Sequence, residues 1–343
     1  MNRYPQVAVV ILNWNGKAYL EQFLPAVLRS SYPNLRVIVA DNASTDTSAE
    51  FVKSGFPSVE LLQNESNLGF AGGYNAALKN LKADYFVLLN SDVEVTAGWI
   101  EPVIALMESD EKIAAAQPKM KDYNNRNYFE YAGAAGGYID QFGYTFCRGR
   151  VFTTVEADKG QYESNKEVFW ASGAALFIKR KCWEEAGGFD GGFFAHMEEV
   201  DLCWRLKNMG YKVMYAPSSV VYHIGGGTLQ SENPFKTYLN YRNNLIMLLK
   251  NLPAGKAFFV LFIRFWLDFV SLLKLLLEGK FKHVRAINKA HTAFFLRFSE
   301  NRKKRTGDYS RFNSTGLVKK SVVFSYFILG RKTFSKVVKE DQA

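Results

Sequence analysis

The sequence predicts an α/β fold: an open, mostly parallel sheet followed by a helical C-terminal extension. Three observations predict it. Short apolar, β-branched runs alternate with helix-spaced runs in β-α-β-α-β-α-β order over the first 92 residues. Polar residues fall just after the strand ends, where open parallel sheets bind ligands. The basic charge is confined to the end of the chain, which sets that part apart.

Val7–Asn13 is a short apolar run of the kind expected for a parallel strand buried on both faces. Residues 17–30 have helical spacing, and Leu35–Asp41 is a second buried strand ending at Asp41-Asn42. Residues 47–54 read as a helix and 59–63 as a third strand. Residues 67–73, NLGFAGG, predict a glycine-rich turn leading into a helix through Leu81. Residues 84–90 form a fourth strand that stops at Ser91-Asp92. From 121 to 170 the regularity is lost in a Tyr-, Phe-, Gly- and Asn-rich stretch, read as loops and short strands covering a site. Strand character returns over 170–178, and a last strand over 213–215 leads through Pro217 to Val220-Val221-Tyr222-His223 and the turn Gly225-Gly226-Gly227. On this pattern residues 1–250 form the catalytic domain and 251–343 an amphipathic, basic helical extension.

The net charge of +10 is unevenly placed. From Gly279 onward there are 16 Lys/Arg against 4 Asp/Glu, and the rest of the chain holds 27 against 29. Such a tail suits a membrane surface or a nucleic acid. Over residues 256–278, Lys256, Arg264, Asp268, Ser271, Lys274 and Glu278 share an arc of about 120° when successive residues turn by about 100°, and the rest of the cylinder is apolar. No apolar run reaches the roughly 18 residues of a membrane span. The helix therefore reads as lying in the membrane interface, with packing on the catalytic domain as the alternative. The apolar run 322–329 would add to the contact. Cys147, Cys182 and Cys203 are odd in number and lack metal spacing, which fits a reducing compartment. No basic leader followed by an apolar stretch precedes Val7, so no signal peptide is expected.

The chemistry concentrates in Gly188–Leu206, which packs Asp190, His196, Glu198, Glu199 and Asp201 into twelve positions. The acids open an amphipathic run through Leu202, Trp204 and Arg205, so they lie at a helix N-terminus, where backbone N–H groups favour negative charge. Alone, this pattern also suits a solvated first turn. Asp92, after a buried strand, is placed to hold Mg²⁺ or Mn²⁺ with phosphate oxygens completing the shell, or simply to cap the next turn.

Taken in chain order, VVILNWNG, ADNASTD, NESNLGFAGGYN, LLNSDVEV, WASGAALFIKR, GGFDGGFFAHMEEVDLCWRLKNMGY and VYHIGGGTL resemble inverting family 2 glycosyltransferases with the GT-A, Rossmann-like fold. The resemblance covers about residues 5–250 and is strongest to the rhamnosyltransferase-like branch that builds bacterial surface polysaccharides. It implies that Asp41 binds the base or ribose of a nucleotide-sugar donor. Asn67, Gly69 and Phe70 would line the nucleotide-diphosphate pocket. Asn90-Ser91-Asp92 stands where the family carries DxD, with Asn for the first acid; Asp92 takes the metal place, and His223 matches a His that often completes it. A lone buried His at a strand end is the plain alternative for His223. Glu199 takes the general-base position, Glu198 is its rival, and Asp201 orients the base or fixes Arg205. Asp190 would sit near the donor sugar, and Trp170 and Gly173 would shape the acceptor side.

The implied reaction is metal-assisted inverting transfer from a UDP- or dTDP-sugar, dTDP-rhamnose among them, to a hydroxyl of a glycan or lipid-linked acceptor. One displacement inverts the anomeric carbon without a covalent intermediate. The expected location is the cytoplasm, peripheral on the inner membrane surface. A nucleotidyltransferase would need a basic phosphate loop after the first strand, and Asn13-Trp14-Asn15-Gly16-Lys17 offers one Lys and one Gly. A nucleic-acid-binding protein would need aromatics interleaved with its basic residues, and Arg302-Lys303-Lys304-Arg305 is a lone cluster. An inactive, sugar-nucleotide-binding relative would have no use for the acids at 92, 199 and 201.

Overall fold

A computed structural model describes residues 4–225, 232–305 and 308–338. Of the 225–227 glycine turn, Gly226 and Gly227 lie outside the described residues. The first part alternates as its sequence dictates: Val7–Asn13 (β1), Lys17–Leu28 (α1), Leu35–Asp41 (β2), Ser48–Gly55 (α2), Glu60–Gln63 (β3), Gly69–Leu78 (α3) and Tyr85–Asn90 (β4). These four strands are parallel, in the order β4-β1-β2-β3. β1 and β4 are buried along nearly their whole length, which explains their lack of a polar face. The glycines of residues 67–73 do not make an open turn. Gly72 and Gly73 lie inside α3, and a Cβ on Gly73 would come within 2.8 Å of Leu12. They let helix and strand approach closely.

The chain continues through Val93–Val95 (β5), Glu101–Glu108 (α4), Ile113–Asp122 (β6), Gly137–Asp140 (β7), Thr145–Cys147 (β8), Arg150–Val151 (β9), Thr154–Val155 (β10), Lys166–Val168 (β11), Ala175–Lys179 (β12), Arg180–Ala186 (α5), Glu198–Asn208 (α6) and Lys212–His223 (β13). The large sheet runs β11-β13-β6-β12-β4-β1-β2-β3, with β5 also paired to β13. Beyond β4 it is mixed, because β12 is antiparallel to both β4 and β6. β13 is one strand rather than two pieces. Its register shifts between Ala216 and Val220, and Pro217 occupies that irregularity, where a missing N–H does no harm.

Four helices follow: Pro234–Asn251 (α7), Ala254–Leu277 (α8), Phe281–Leu296 (α9) and Phe298–Lys303 (α10). Then come Leu317–Val318 (β14) and Phe334–Val337 (α11). The irregular 121–170 stretch builds a second sheet of its own, β10-β9-β8-β7-β14, whose last strand comes from the C-terminal extension and runs parallel to β7. Asp140 ties the junction: its carboxylate accepts the N–H of Val322 at 2.9 Å and those of Phe142 and Tyr144. All three cysteines are buried and free.

α8 is turned with the middle of its polar stripe inward, while Lys256, Lys274 and Glu278 toward its ends are exposed. Arg264 and Asp268 are buried, 3.3 Å apart. Arg264 also donates to Asn244 Oδ1 and the Phe142 carbonyl and lies 4.0 Å from the Tyr144 ring centre. Asp268 pairs with His291 at 3.1 Å, and Ser271 bonds Tyr241. The opposite face carries Phe258, Phe259, Phe262, Trp266, Phe269 and Leu277, all exposed, with Leu277 at 89%. Phe324, Phe327, Ile328 and Leu329 are exposed as well, and Lys274 of α8 lies 5.8 Å from the Phe327 ring. Among the described residues no helix is long and apolar enough to cross a membrane.

Candidate active site

The carboxyl ends of β1 and β2 are laced together. Asp41, 2% exposed, accepts from Asn13 Nδ2 at 3.2 Å and from the Ser44 N–H at 3.0 Å. Ser44 Oγ in turn accepts from Asn13 Nδ2 and the Asn15 N–H, so the turn after β1 is fixed by the ADNASTD loop. Asn42 is the next hub. Its amide nitrogen donates to Asn67 Oδ1 and the Gly69 carbonyl, and its oxygen accepts from Asn64 and from the Leu68 N–H. Asn67, itself exposed, also accepts the Gly69 N–H at 2.8 Å. Gly69 has φ +71, and a Cβ there would fall 2.5 Å from the Phe194 ring. That space is filled by the acid-bearing loop, whose Phe194 carbonyl accepts the Ala71 N–H.

Asp92 and His223 meet because β5 pairs with the end of β13, Val93 opposite His223. His223 Nε2 lies 3.1 Å from Asp92 Oδ1, and its Nδ1 lies 3.2 Å from Glu130 Oε1. All three side chains are buried. Burial works against a charged His223, but the Glu130 and Asp92 carboxylates outweigh it and push its pKa up to about 10. Burial would raise Asp92; the charge and hydrogen bond of His223 hold it below the ordinary carboxylate value. Glu130 was not singled out from sequence, since it lies in the irregular stretch. Its other oxygen accepts the N–H groups of Ala132 and Gly133, so the carboxylate is anchored before it touches the histidine. Among the described residues no group of three or more His, Cys, Asp or Glu side chains is disposed to hold a metal. With its pKa raised, His223 gives its Nε2 proton to Asp92, so the pair would offer a cation one oxygen and one nitrogen only once that proton is displaced. Such a set suits an ion whose remaining positions come from phosphate oxygens.

Glu198 and Glu199 open α6 after an unusual backbone: Phe194, His196 and Met197 all have positive φ, between 66° and 71°. Such geometry costs of order 1–3 kcal/mol per residue and persists only where the surroundings enforce it. α7 enforces it. Asn243 donates to the carbonyls of Phe193, Ala195 and His196 at 2.7–3.0 Å, and Arg242 donates to those of Gly192 and Phe193. Glu198 is buried and Glu199 half-buried, and one carboxylate oxygen of each has no partner among the described residues. Burial, then the charge of Glu199, raises Glu198 well above the usual carboxyl range. Burial pushes Glu199 up to about 7, partly opposed by the N–H groups of its own residue and Val200 at the helix start. His196 is pushed down to about 4 by burial and then by the Lys236 charge.

Gly173 joins the two clusters. A Cβ there would lie 3.2 Å from the Phe70 ring and 3.7 Å from Glu199 Cβ. The next residue, Ala174, accepts the N–H of Asn90 at 3.0 Å. Phe70, Gly173 and Glu199 are thus brought side by side, one strand away from the 90–92 segment.

Three of the other sequence-selected residues stand apart. Asp201 is fully buried and bound by Arg205 Nε, Lys250 Nζ and Asn251 Nδ2 at 2.8–3.0 Å, which is the Arg205-fixing role rather than contact with an acceptor. Asp190 is held by Lys250 at 2.6 Å and by Lys304 at 3.0 Å, leaving it a clamp and not a free donor-sugar ligand. Burial opposes its charge, and the two lysines hold it far below the ordinary value. Trp170 is 3% exposed, packs over Gly137 and gives its indole N–H to the Tyr138 carbonyl, so it belongs to the core. Lys250 and the Arg242-Asn243 pair also escaped the sequence reading. The trace of Arg242 and Asn243 is the polar YRNN run directly ahead of the apolar LIMLL of α7, and Lys250 closes that apolar run.

Comparisons with known proteins bear on the family and the fold. The family model described as "Glycosyl transferase family 2" matches residues 8–184. An N-acetylglucosaminyl-diphospho-decaprenol L-rhamnosyltransferase of Mycobacterium tuberculosis is 27% identical over 230 residues, 63% of this chain and 75% of that protein. Among solved structures, GalNAc-T7 with UDP, GalNAc and Mn²⁺ superimposes with a TM-score of 0.56 at 18% identity, covering 72% of this chain and 48% of that one. S. aureus TarS with UDP-GlcNAc gives 0.55 at 15% identity, covering 94% and 91%. At these identities the structures speak for the fold.

Proposed function

The chain belongs to glycosyl transferase family 2, and from that premise we propose a metal-assisted, inverting transfer from a UDP- or dTDP-sugar, with dTDP-rhamnose the first candidate. The acceptor is a hydroxyl of a glycan or lipid-linked glycan in surface-polysaccharide assembly. The rhamnosyl transfer to a diphospho-decaprenol acceptor named for the mycobacterial relative supports that choice. One observation carries the reading: Glu199, a carboxylate of raised pKa with one oxygen unpartnered among the described residues, stands beside Gly173 and Phe70 at the sheet end that also holds Asp41, Asp92 and His223.

Asp41, with Asn67, Gly69 and Phe70, binds the nucleotide. Asp92 and His223 hold a divalent cation, Mg²⁺ or Mn²⁺, which when bound stabilises the charge of the leaving diphosphate. Glu199 takes the proton from the acceptor hydroxyl, and a pKa near the working pH suits that task. Glu198 is also raised well above the usual carboxyl range, by burial and then by the Glu199 charge, so the buried pair disfavours carrying two charges at once. A single base and a single displacement give inversion. The exposed apolar face of α8, with the basic residues that follow it, seats the protein on the cytoplasmic face of the cell membrane.

A donor panel with Mn²⁺ or Mg²⁺, scored for transfer and slow hydrolysis, tests the reading. Glu199→Gln and Asp92→Ala should each lower turnover by about 10²–10⁴-fold while the melting temperature holds. Near-normal turnover by Glu199→Gln would move the base to Glu198. A protein that hydrolyses no nucleotide sugar would sink the assignment.

A further inference from the structure

An apolar groove opens on the exposed side of the helical extension, between α8, α9 and α10. It encloses about 410 Å³, within the range of small-molecule sites. Six phenylalanines line it, Phe258, Phe262, Phe265, Phe294, Phe295 and Phe298, with Ala254, Ala257 and Leu261 among them. Its charged lining residues, among those described, are Arg302 and Arg305. Arg302 lies in the last turn of α10 and Arg305 just beyond its end, and both reach the groove. Arg305 gives two nitrogens to the carbonyls of Leu249 and Leu252, which fixes its guanidinium. Arg302 is solvent-exposed and enters no ion pair among the described residues.

A wholly apolar groove would accept any greasy chain. One that ends on two guanidinium groups asks for a chain carrying an anion, and the planar guanidinium fork matches phosphate oxygens. The groove is tied to the acid cluster through neighbouring residues. Lys304, next to Arg305 in sequence, pairs with Asp190. Leu249 lines the groove, and the next residue, Lys250, binds both Asp190 and Asp201. The segments that carry the groove's arginines and its Leu249 edge therefore also carry the lysines that hold the loop before Glu198 and Glu199.

We propose that this groove binds the isoprenoid end of a polyprenyl-diphosphate-linked acceptor, with the diphosphate on Arg302 and Arg305. The inference rests on the reading of the acceptor as lipid-linked. It turns part of the exposed apolar surface from a general membrane contact into a substrate site.

The test is calorimetric titration of the full-length protein, with UDP and Mn²⁺ in excess, using farnesyl diphosphate, inorganic diphosphate and dodecyl phosphate as probes. Farnesyl diphosphate should bind at least tenfold tighter than either comparator. Ala254→Trp, which fills the groove from an exposed position, should remove that advantage and leave diphosphate binding unchanged. Arg302→Glu should weaken farnesyl diphosphate and diphosphate alike, at least tenfold. Both variants should keep the wild-type melting temperature. Equal binding of dodecyl phosphate would assign the groove to ordinary acyl lipids. Unchanged farnesyl diphosphate binding by Ala254→Trp, or conversion of a dimer to a monomer by that variant, would overturn the proposal. Flotation of wild type with phosphatidylglycerol vesicles and turnover of water-soluble against prenyl-linked acceptors are scored separately. Loss of flotation alone removes the membrane reading, and turnover of soluble acceptors alone removes the lipid-linked reading, each without touching the groove result.

Discussion

Glu199 differs from an ordinary first-turn acid in being half-buried with an oxygen left without a partner, beside a second buried carboxyl. Burial disfavours the charged form, so the proton leaves at about pH 7 instead of near 4.5. A base works only when deprotonated, so turnover should rise with pH through about 7 and level off above it. In Glu199→Gln the rise should vanish, and a rate profile in saturating donor checks both. Glu130 makes a second prediction. A carboxylate on Nδ1 keeps a proton there and would leave Nε2 of His223, once deprotonated, to face the proposed metal. Glu130→Gln can still accept the Ala132 and Gly133 N–H groups, but its amide donates to Nδ1 and so places the proton on Nε2. Mn²⁺ affinity, read by calorimetry, should fall by about 10–100-fold with little change in melting temperature. An unchanged affinity would leave Glu130 as a turn anchor only. Asp92, His223 and the two glutamates were legible in sequence because strand ends and a helix start locate them. Glu130 was not, because it acts through a contact 93 residues away in a stretch without periodicity.

At the scale of elements, the acid helix is presented by another helix. Asn243 satisfies three carbonyls of a loop that holds three positive-φ residues. Asn243→Ala takes this donor from the Ala195 and His196 carbonyls, while Phe193 keeps Arg242, and should cost about 1–3 kcal/mol of stability. Turnover should fall further than stability does, since relaxation of residues 194–197 moves both glutamates. A thermal melt run beside kcat measurements separates the two effects, and a parallel loss would make Asn243 purely structural. The alternation of strands and helices up to Asn90 was readable because each buried parallel strand is a continuous apolar run. The helical period of residues 256–278 was equally plain, but not the direction in which its stripe points. A helix wheel shows that two faces differ and does not say which one has partners. Arg264 and Asp268 find theirs in Tyr144, Asn244 and His291, on three separate elements, and only the assembled fold brings these together. Trp170 misled for the same reason: its neighbour Gly137 is 33 residues earlier.

For the whole molecule, the inverted α8 leaves a row of aromatics in water that no other part of the described chain covers. Exposed apolar patches of this kind mark interaction surfaces. Phe259 and Phe269 belong to the row and lie outside the groove. Changing both to Ser removes about 1.5–3 kcal/mol of burial each, so vesicle partitioning should drop by about two decades or more while turnover of soluble acceptor holds. Flotation that persists would place membrane contact elsewhere. The basic character of the extension, readable as bulk charge, is partly internal: Lys304 and Arg305 bind the domain itself. β14 has a further consequence. Because the chain returns after α10 to pair with β7, the segment between is fastened at both ends and cannot swing like a pendant anchor. On the proposed membrane seating, the reacting hydroxyl would be met at one altitude above the bilayer. A lipid-linked glycan lengthened by a single sugar would carry its new end past that altitude, so the proposed geometry favours one addition per acceptor over repeated growth of the chain.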